Sequence, residues 1–261
     1  MSTISNDQLL NQLTQQAVET RRLMLGRLLF NRLGGAVGYG LLRGFRLNEH
    51  QVWGQGDLGP KLLGLYEQEI LELISSQNKT WDCVINLGAG DGYYGVGLVA
   101  RGVAKRSICF EQSAEGQAAI RISAEINKVA DRITILGRAE RNFLDQPELQ
   151  AIDLGRTLVI VDIEGGEFEL LTSDILNRLA SSEMIVEIHG GFFPKEPDLD
   201  SRFVKQLQSY FACDVLPMGR RDLSQIREIA GLSDSDRWLL CSEGRPFLMR
   251  WIHCMPKQKA A

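Results

Sequence analysis

With 261 residues, 44% hydrophobic and 24% charged, the chain has the composition of a soluble globular protein, which excludes disorder and low complexity. A chain of this length buries a core that needs no disulfide or metal staple. The net charge of −4 speaks against a general nucleic-acid binder.

The first residues, Met1-Ser-Thr-Ile-Ser-Asn-Asp-Gln, are polar and unlike a secretory leader. No run of 18 apolar residues is present to span a membrane as a helix. Between Glu19 and Glu49 there is no acidic residue, while Arg21, Arg22, Arg27, Arg32, Arg43 and Arg46 are interspersed with Leu, Met and Phe. At about 100° per residue these arginines share no single helix face. A helix packed on its own domain or on a second subunit, with snorkelling arginines, is therefore expected. Peripheral membrane contact through residues 20–48 and a homo-oligomer both stay open. Residues 1–58 read as a helical N-terminal extension and residues 59–256 as the main domain. Glycines from Gly34 to Gly59 mark a loop region after the first helix. Pro60 suits the first turn of a second helix, whose Leu63, Tyr66, Ile70, Leu73 and Ile74 form one apolar face.

From Trp81 onward short apolar runs alternate with helix-period segments. The runs Cys83–Leu87, Ser107–Phe110, Ile133–Leu136, Leu158–Asp162 and Met184–Ile188 are continuous rather than alternating, as in strands buried on both faces. Ser113 is placed to cap a helix on which Ala119, Ile122, Ile126 and Val129 line up. Phe168, Leu171, Ile175 and Leu179 mark another, and Phe203, Leu207, Tyr210 and Phe211 a third. Asp214–Pro217 and Phe247–His253 read as a closing strand pair. The prediction is an α/β fold: a Rossmann-like, doubly wound, mostly parallel seven-stranded sheet. Cys83, Cys109, Cys213, Cys241 and Cys254 are scattered without a C-x-x-C pair, so reduced thiols and a cytoplasmic location are expected.

Ligands of such sheets bind beyond the carboxyl ends of the strands. The first βα turn runs Ile85-Asn-Leu-Gly-Ala-Gly-Asp-Gly, where Gly88, Gly90 and Gly92 permit close backbone approach at a helix start. Gly90-x-Gly92-x-x-Gly95 also matches a dinucleotide fingerprint. Glu111 ends the second strand 19 residues after Gly92, where a carboxylate can accept two hydrogen bonds from a ribose diol. That feature serves NAD and S-adenosylmethionine equally. The fourth strand ends in Asp162-Ile-Glu164-Gly-Gly-Glu167 and the fifth in Glu187-Ile-His189, an acidic cluster with one imidazole. Hydride transfer has no use for so many carboxylates.

The turn through Gly88, Gly90 and Gly92, the pair Phe110-Glu111, the Asp162–Glu167 element and Ile188-His189 together resemble the FkbM-type family of S-adenosylmethionine-dependent methyltransferases. The similarity spans residues 60–190. It implies an O-methyltransferase acting on a hydroxyl of a sugar, glycan precursor or related small molecule. No nucleic-acid partner is expected, on the ground of net charge. The resemblance also implies a cofactor site of Asn86, Gly88, Ala89, Gly90, Gly92, Glu111, Gln112, Ala139, Glu140 and Asp162. Asn86 departs from the acidic residue usual at that position. The segment Lys61–Glu67 precedes strand one; an ordinary amphipathic helix is preferred there over a cover on the cofactor. The alternatives are an NAD(P)-dependent oxidoreductase and a cofactor-binding module without turnover.

For the chemistry, His189 is the expected general base, because its unperturbed pKa lies near working pH, with Asp162 beside the reacting methyl. A second arrangement has Glu164, Glu167 and His189 holding a divalent metal. It is less favoured, since acidic residues suit a first helical turn on electrostatic grounds alone. Glu164, Glu167, Phe192 and Arg220 are candidates for substrate contact, and Arg221 could meet an anionic group. His50 and His253 read as structural.

Overall fold

The computed structural model describes residues 5–49, 51–219 and 221–257. Seven strands form one sheet: β1 (Trp81–Leu87), β2 (Ala104–Phe110), β3 (Ile133–Leu136), β4 (Thr157–Val161), β5 (Glu183–Ile188), β6 (Phe211–Leu216) and β7 (Arg250–Pro256). Their order is β3-β2-β1-β4-β5-β7-β6. The first five pair in parallel, and β7 runs antiparallel between β5 and β6. The predicted Rossmann-like sheet is therefore present. Strand order reverses between β1 and β4, which puts a ligand crevice at their carboxyl ends. The closing pair is no tight hairpin, since 33 residues (217–249) separate its strands and β7 inserts beside β5.

The helices are α1 (Asn6–Leu33), α2 (Leu58–Leu63), α3 (Gln68–Ser76), α4 (Gly95–Ala100), α5 (Ala114–Ile126), α6 (Pro147–Gln150), α7 (Glu167–Leu170), α8 (Ser173–Leu179), α9 (Leu199–Tyr210) and α10 (Asp234–Leu239). Two apolar cores flank the sheet. On one face Val84, Leu158, Ile160, Ile185 and Trp251 join Leu25, Leu29, Leu42, Phe45 and Leu62 from the N-terminal segment. On the other, Ile85, Leu87, Val159, Val161 and Val186 meet Ile175, Leu179, Phe203 and Leu207. The central strands are buried except at Asp82 near the start of β1, as continuous apolar runs require. Edge strand β3 is only half-buried.

Three local readings differ from expectation. The single helix predicted from Pro60 is two, α2 and α3, broken at Gly64 with φ 67°. A Cβ at Gly64 would collide with the Tyr39 carbonyl, so only glycine fits where the α1–α2 loop crosses. The helix predicted through Phe168 and Leu179 is also two, because Leu171 leaves helical geometry and Thr172 Oγ1 caps α8. On α5, Ser113 caps as expected, its Oγ accepting from Gly116 N at 2.9 Å. The buried face there is Ala119, Ile120, Ser123 and Ala124, while Ile122 and Ile126 are exposed.

The Arg-rich segment folds onto its own chain. Arg22 is buried and paired with Asp57, Arg21 forks onto both oxygens of Asp236 at 2.7 Å, and Arg46 Nη2 donates to Gly34 O at 3.2 Å. No helix of the described residues is long and apolar enough to cross a membrane.

Candidate active site

At the carboxyl ends of β1, β2 and β4 lies a cavity of about 390 Å³, within the usual range for a small-molecule site. Gly88, Ala89 and Gly90 line it from the first βα turn. Gly88 has φ 78°, and a Cβ there would strike the carbonyl oxygen of Asp162. The turn and the end of β4 therefore approach as closely as backbone can. Glu111 is fixed at the rim: its Oε2 accepts from Gly90 N at 3.0 Å and its Oε1 from Ser113 N at 2.8 Å. Gln112 lies beside it, and Arg138, Ala139, Glu140 and Arg141 add wall from the loop after β3. Two expected cofactor residues lie elsewhere. Asn86 is buried below the turn, its Oδ1 accepting from Gly95 N at 3.2 Å, and Gly92 shapes the turn without reaching the cavity.

The N-terminal segment completes the enclosure. Trp53, Gly54, Asp57, Lys61 and Tyr66 all line the cavity, so Lys61–Glu67 does more than form an apolar helix face. Asp91, on the glycine turn, accepts from Val52 N at 2.9 Å and Trp53 N at 3.4 Å, which ties this cover to the sheet. Lys61 Nζ donates to Gln51 Oε1 at 3.2 Å and stands 5.1 Å from the Tyr66 ring centre.

At the ends of β4 and β5 lies a buried charged cluster. The β4–β5 register pairs Val161 with Val186, which brings Asp162 level with Glu187. His189 follows β5 directly, two residues after Glu187, and its ring meets the Glu187 carboxylate. The His189 ring is fully buried: Nε2 stands 3.3 Å from Glu187 Oε2, 3.5 Å from Asp162 Oδ1 and 3.7 Å from Glu164 Oε2. Its Nδ1 lies 3.1 Å from Glu167 Oε1, which also accepts from His189 N at 2.8 Å. The other oxygen of Glu167 accepts from Gly165 N at 2.9 Å. Phe192 stacks on the imidazole at 5.9 Å. Arg245 pairs with Glu187, with Glu67 Oε1 at 2.7 Å and with Glu243 Oε2 at 2.7 Å, and Tyr94 donates to Glu67.

Burial disfavours charge here, and the carboxylates disfavour one another. Burial and the neighbouring Glu164 push Asp162 up to about 6, against His189 and Arg245. Burial and the charge of Asp162 push Glu67 up to about 8, against Arg245. Burial lowers the His189 pKa, but Glu167, Asp162 and Glu164 outweigh it and the net shift is upward.

Of the expected catalytic pair, Asp162 lines the cavity and His189 sits enclosed behind it. A direct proton transfer from an acceptor to His189 has no open path. Glu167 is equally enclosed, so it orients the imidazole and is not a substrate contact; it also faces the ring nitrogen opposite the one Glu164 faces. The metal triad Glu164, Glu167 and His189 therefore does not converge on one centre. Glu164 lines the cavity with its side chain exposed. Phe192 packs on His189 and, edge-on at 4.8 Å, on Phe247. Arg221 is buried between Glu69 and Glu243 at 2.8 Å each and cannot meet an external anion. Arg220 and His50 lie outside the described residues. His253 Nε2 lies 2.7 Å from Glu183 Oε1, in a structural role. Sequence reasoning placed Glu187 in the acidic cluster without giving it a role, and it missed Glu67 and Arg245. Glu187 is marked as an acidic residue inside an apolar strand, two before His189; the other two left no signal.

No protein-family model matches the chain, and no curated protein matches it. Among solved structures it is similar to an rRNA methylase from Streptococcus thermophilus, with 13% identity, 72% of this chain and 93% of that chain covered, and a TM-score of 0.47. It is also similar to an O-methyltransferase from Bacillus cereus in complex with SAH, with 16% identity, 59% and 72% covered, and a TM-score of 0.45. A third is a Streptococcus pneumoniae protein in complex with S-adenosyl-L-methionine, with 16% identity, 74% and 75% covered, and a TM-score of 0.42.

Proposed function

We propose that this chain is an S-adenosylmethionine-dependent O-methyltransferase of the FkbM type, acting on a hydroxyl of a sugar, glycan precursor or related small molecule. The observation that carries this reading is the cavity at the strand-order reversal, where the glycine turn, Glu111, the 138–141 loop and Asp162 meet. The residues fit the cofactor. Gly88 and Gly90 leave backbone open to its methionine part, and Glu111 keeps lone pairs free for a ribose diol. Ala139 and Glu140 are available to the adenine.

The charge of the lining favours this cofactor over a dinucleotide. Asp57, Asp91, Glu111, Glu140, Asp162, Glu164 and Glu169 outnumber Lys61, Arg138 and Arg141. Such a wall attracts a sulfonium and an ammonium and repels a pyrophosphate. When bound, the cofactor supplies an activated methyl group. The protein's tasks are then to align the acceptor and manage its proton. Asp162 is the side chain that faces the acceptor, and His189 acts through it, held in place by Glu167 and Phe192.

Calorimetry tests the assignment. S-adenosylhomocysteine should bind and NADH should not; the reverse would establish the oxidoreductase alternative. Cofactor binding with no methyl transfer across a broad panel of hydroxylated acceptors would mark a module without turnover.

A further inference from the structure

We propose that Asp162, Glu187 and His189 form a divalent-cation site at the ends of β4 and β5. One carboxylate oxygen each of Asp162 and Glu187 and a ring nitrogen of His189 all lie within 4.8 Å of one another. The separations from Nε2, 3.5 Å to Asp162 and 3.3 Å to Glu187, are long for hydrogen bonds. They suit an edge of a coordination shell: ligands about 2.0–2.2 Å from a common centre stand roughly 3–3.5 Å apart.

The bonding state of these atoms points the same way. His189 Nε2 and Asp162 Oδ1 are buried without a hydrogen-bond partner. A buried polar atom left unpaired is costly, and two facing each other call for a common partner. Glu167, fully buried and 3.1 Å from Nδ1, fixes the proton on that nitrogen and leaves the Nε2 lone pair directed at the two carboxylates. A carboxylate behind the far nitrogen of a metal-bound histidine is the usual outer support of such sites. Glu187 is similarly prepared: Arg245 takes its Oε1, leaving Oε2 for the centre.

One imidazole nitrogen and two carboxylate oxygens suit Mn²⁺, Mg²⁺ or Zn²⁺ better than a thiophilic ion. Only Asp162 of the three lines the cavity, so the site lies behind the inner wall of the space where the acceptor would sit. Resting on the methyltransferase reading, the cation would fix the Asp162 carboxylate at that wall, where it orients the acceptor hydroxyl.

The test is cation binding by the full-length protein after EDTA treatment and dialysis. Mn²⁺ alone is titrated and followed by the loss of its free electron-paramagnetic-resonance signal, and Zn²⁺ alone by calorimetry. One ion per chain is expected. Binding should be lost in Glu187→Gln and in His189→Ala, and weakened about 10–100-fold in Glu167→Gln. S-adenosylhomocysteine binding, measured on the same variants, reports whether each is folded. No binding of either ion, or binding unchanged in folded Glu187→Gln and His189→Ala, would overturn the site. Protein that binds S-adenosylhomocysteine but no cation sinks this inference alone. Protein that binds the cation but not S-adenosylhomocysteine sinks the proposed function alone.

Discussion

Glu111 ends β2 with its carboxylate tied to the Gly90 and Ser113 amides, so a ligand meets it already oriented. Under the proposed function it accepts two hydrogen bonds from the cofactor ribose, each contributing about 1.5–3 kcal/mol. Glu111→Gln keeps one acceptor and most of the local shape. It should weaken S-adenosylhomocysteine about 10–100-fold by calorimetry, and an unchanged Kd would remove Glu111 from the ribose contact. At the same scale, the enclosure of His189 changes what its substitution means. Losing the imidazole empties the support behind Asp162, so under the proposed function its effect reaches the acceptor through that carboxylate.

At the scale of elements, the breaks in helices decide what reaches the cavity. An unbroken helix from Leu58 to Ser76 would run straight past the strand ends. The left-handed turn at Gly64 sends the chain back so that Tyr66 lines the cavity and Glu67 meets Arg245. Gly64→Ala should destabilise the protein by about 1–3 kcal/mol, because a positive φ and the Tyr39 carbonyl both oppose a Cβ. Urea unfolding checks this, and an unchanged midpoint would show that the loop simply shifts aside. The same variant should also weaken S-adenosylhomocysteine, since the cover built on α2 is displaced. The exposed N-terminal turns of α1, Asn6 to Thr20, have no such influence, because none of their residues is buried.

For the whole molecule, the seam between β5 and β7 is where the sheet changes direction, and Glu183 clamps it. Its carboxylate accepts from Gln77 and Lys79 and lies 2.7 Å from His253 Nε2. Burial raises its pKa, but these partners outweigh burial and hold it down at about 2, below the ordinary 4.5. A depressed carboxylate pKa stabilises the fold above about 4.5, and the contribution is lost as pH falls toward about 2. At most about 3 kcal/mol is involved. Wild type should therefore exceed Glu183→Gln in stability at pH 6, with the gap closing as the pH is lowered toward 3. A gap independent of pH in urea titrations would show that Glu183 does not titrate with folding.

Much of this architecture is legible in the sequence, because a strand buried on both faces must be written as a continuous apolar run. Such runs locate β1, β4 and β5 within a residue or two of the observed ends. Glycines that need positive φ, at 88, 90 and 92, mark the first βα turn, and a carboxylate at the end of β2 follows from the spacing of that unit. These are local constraints, and each is met by residues adjacent in the chain. The closing of the site is not local. Glu67 and Arg245 are 178 residues apart and meet only because β7 inserts beside β5 while the N-terminal segment folds over the same sheet face. Which nitrogen of His189 faces Glu167, and whether Glu187 or Glu167 shares a centre with Asp162, depends on strand register and on the turn after β4. The sequence groups Glu164 and Glu167 as candidate ligands of one metal; the left-handed backbone at Glu164 and the α7 start instead put one in the cavity and the other behind the imidazole. Side-chain type and spacing thus determined the sheet, the glycine turn and the carboxylate at the end of β2. Burial, charge pairing and register, which arise only when distant segments pack, decided how the acidic cluster is wired.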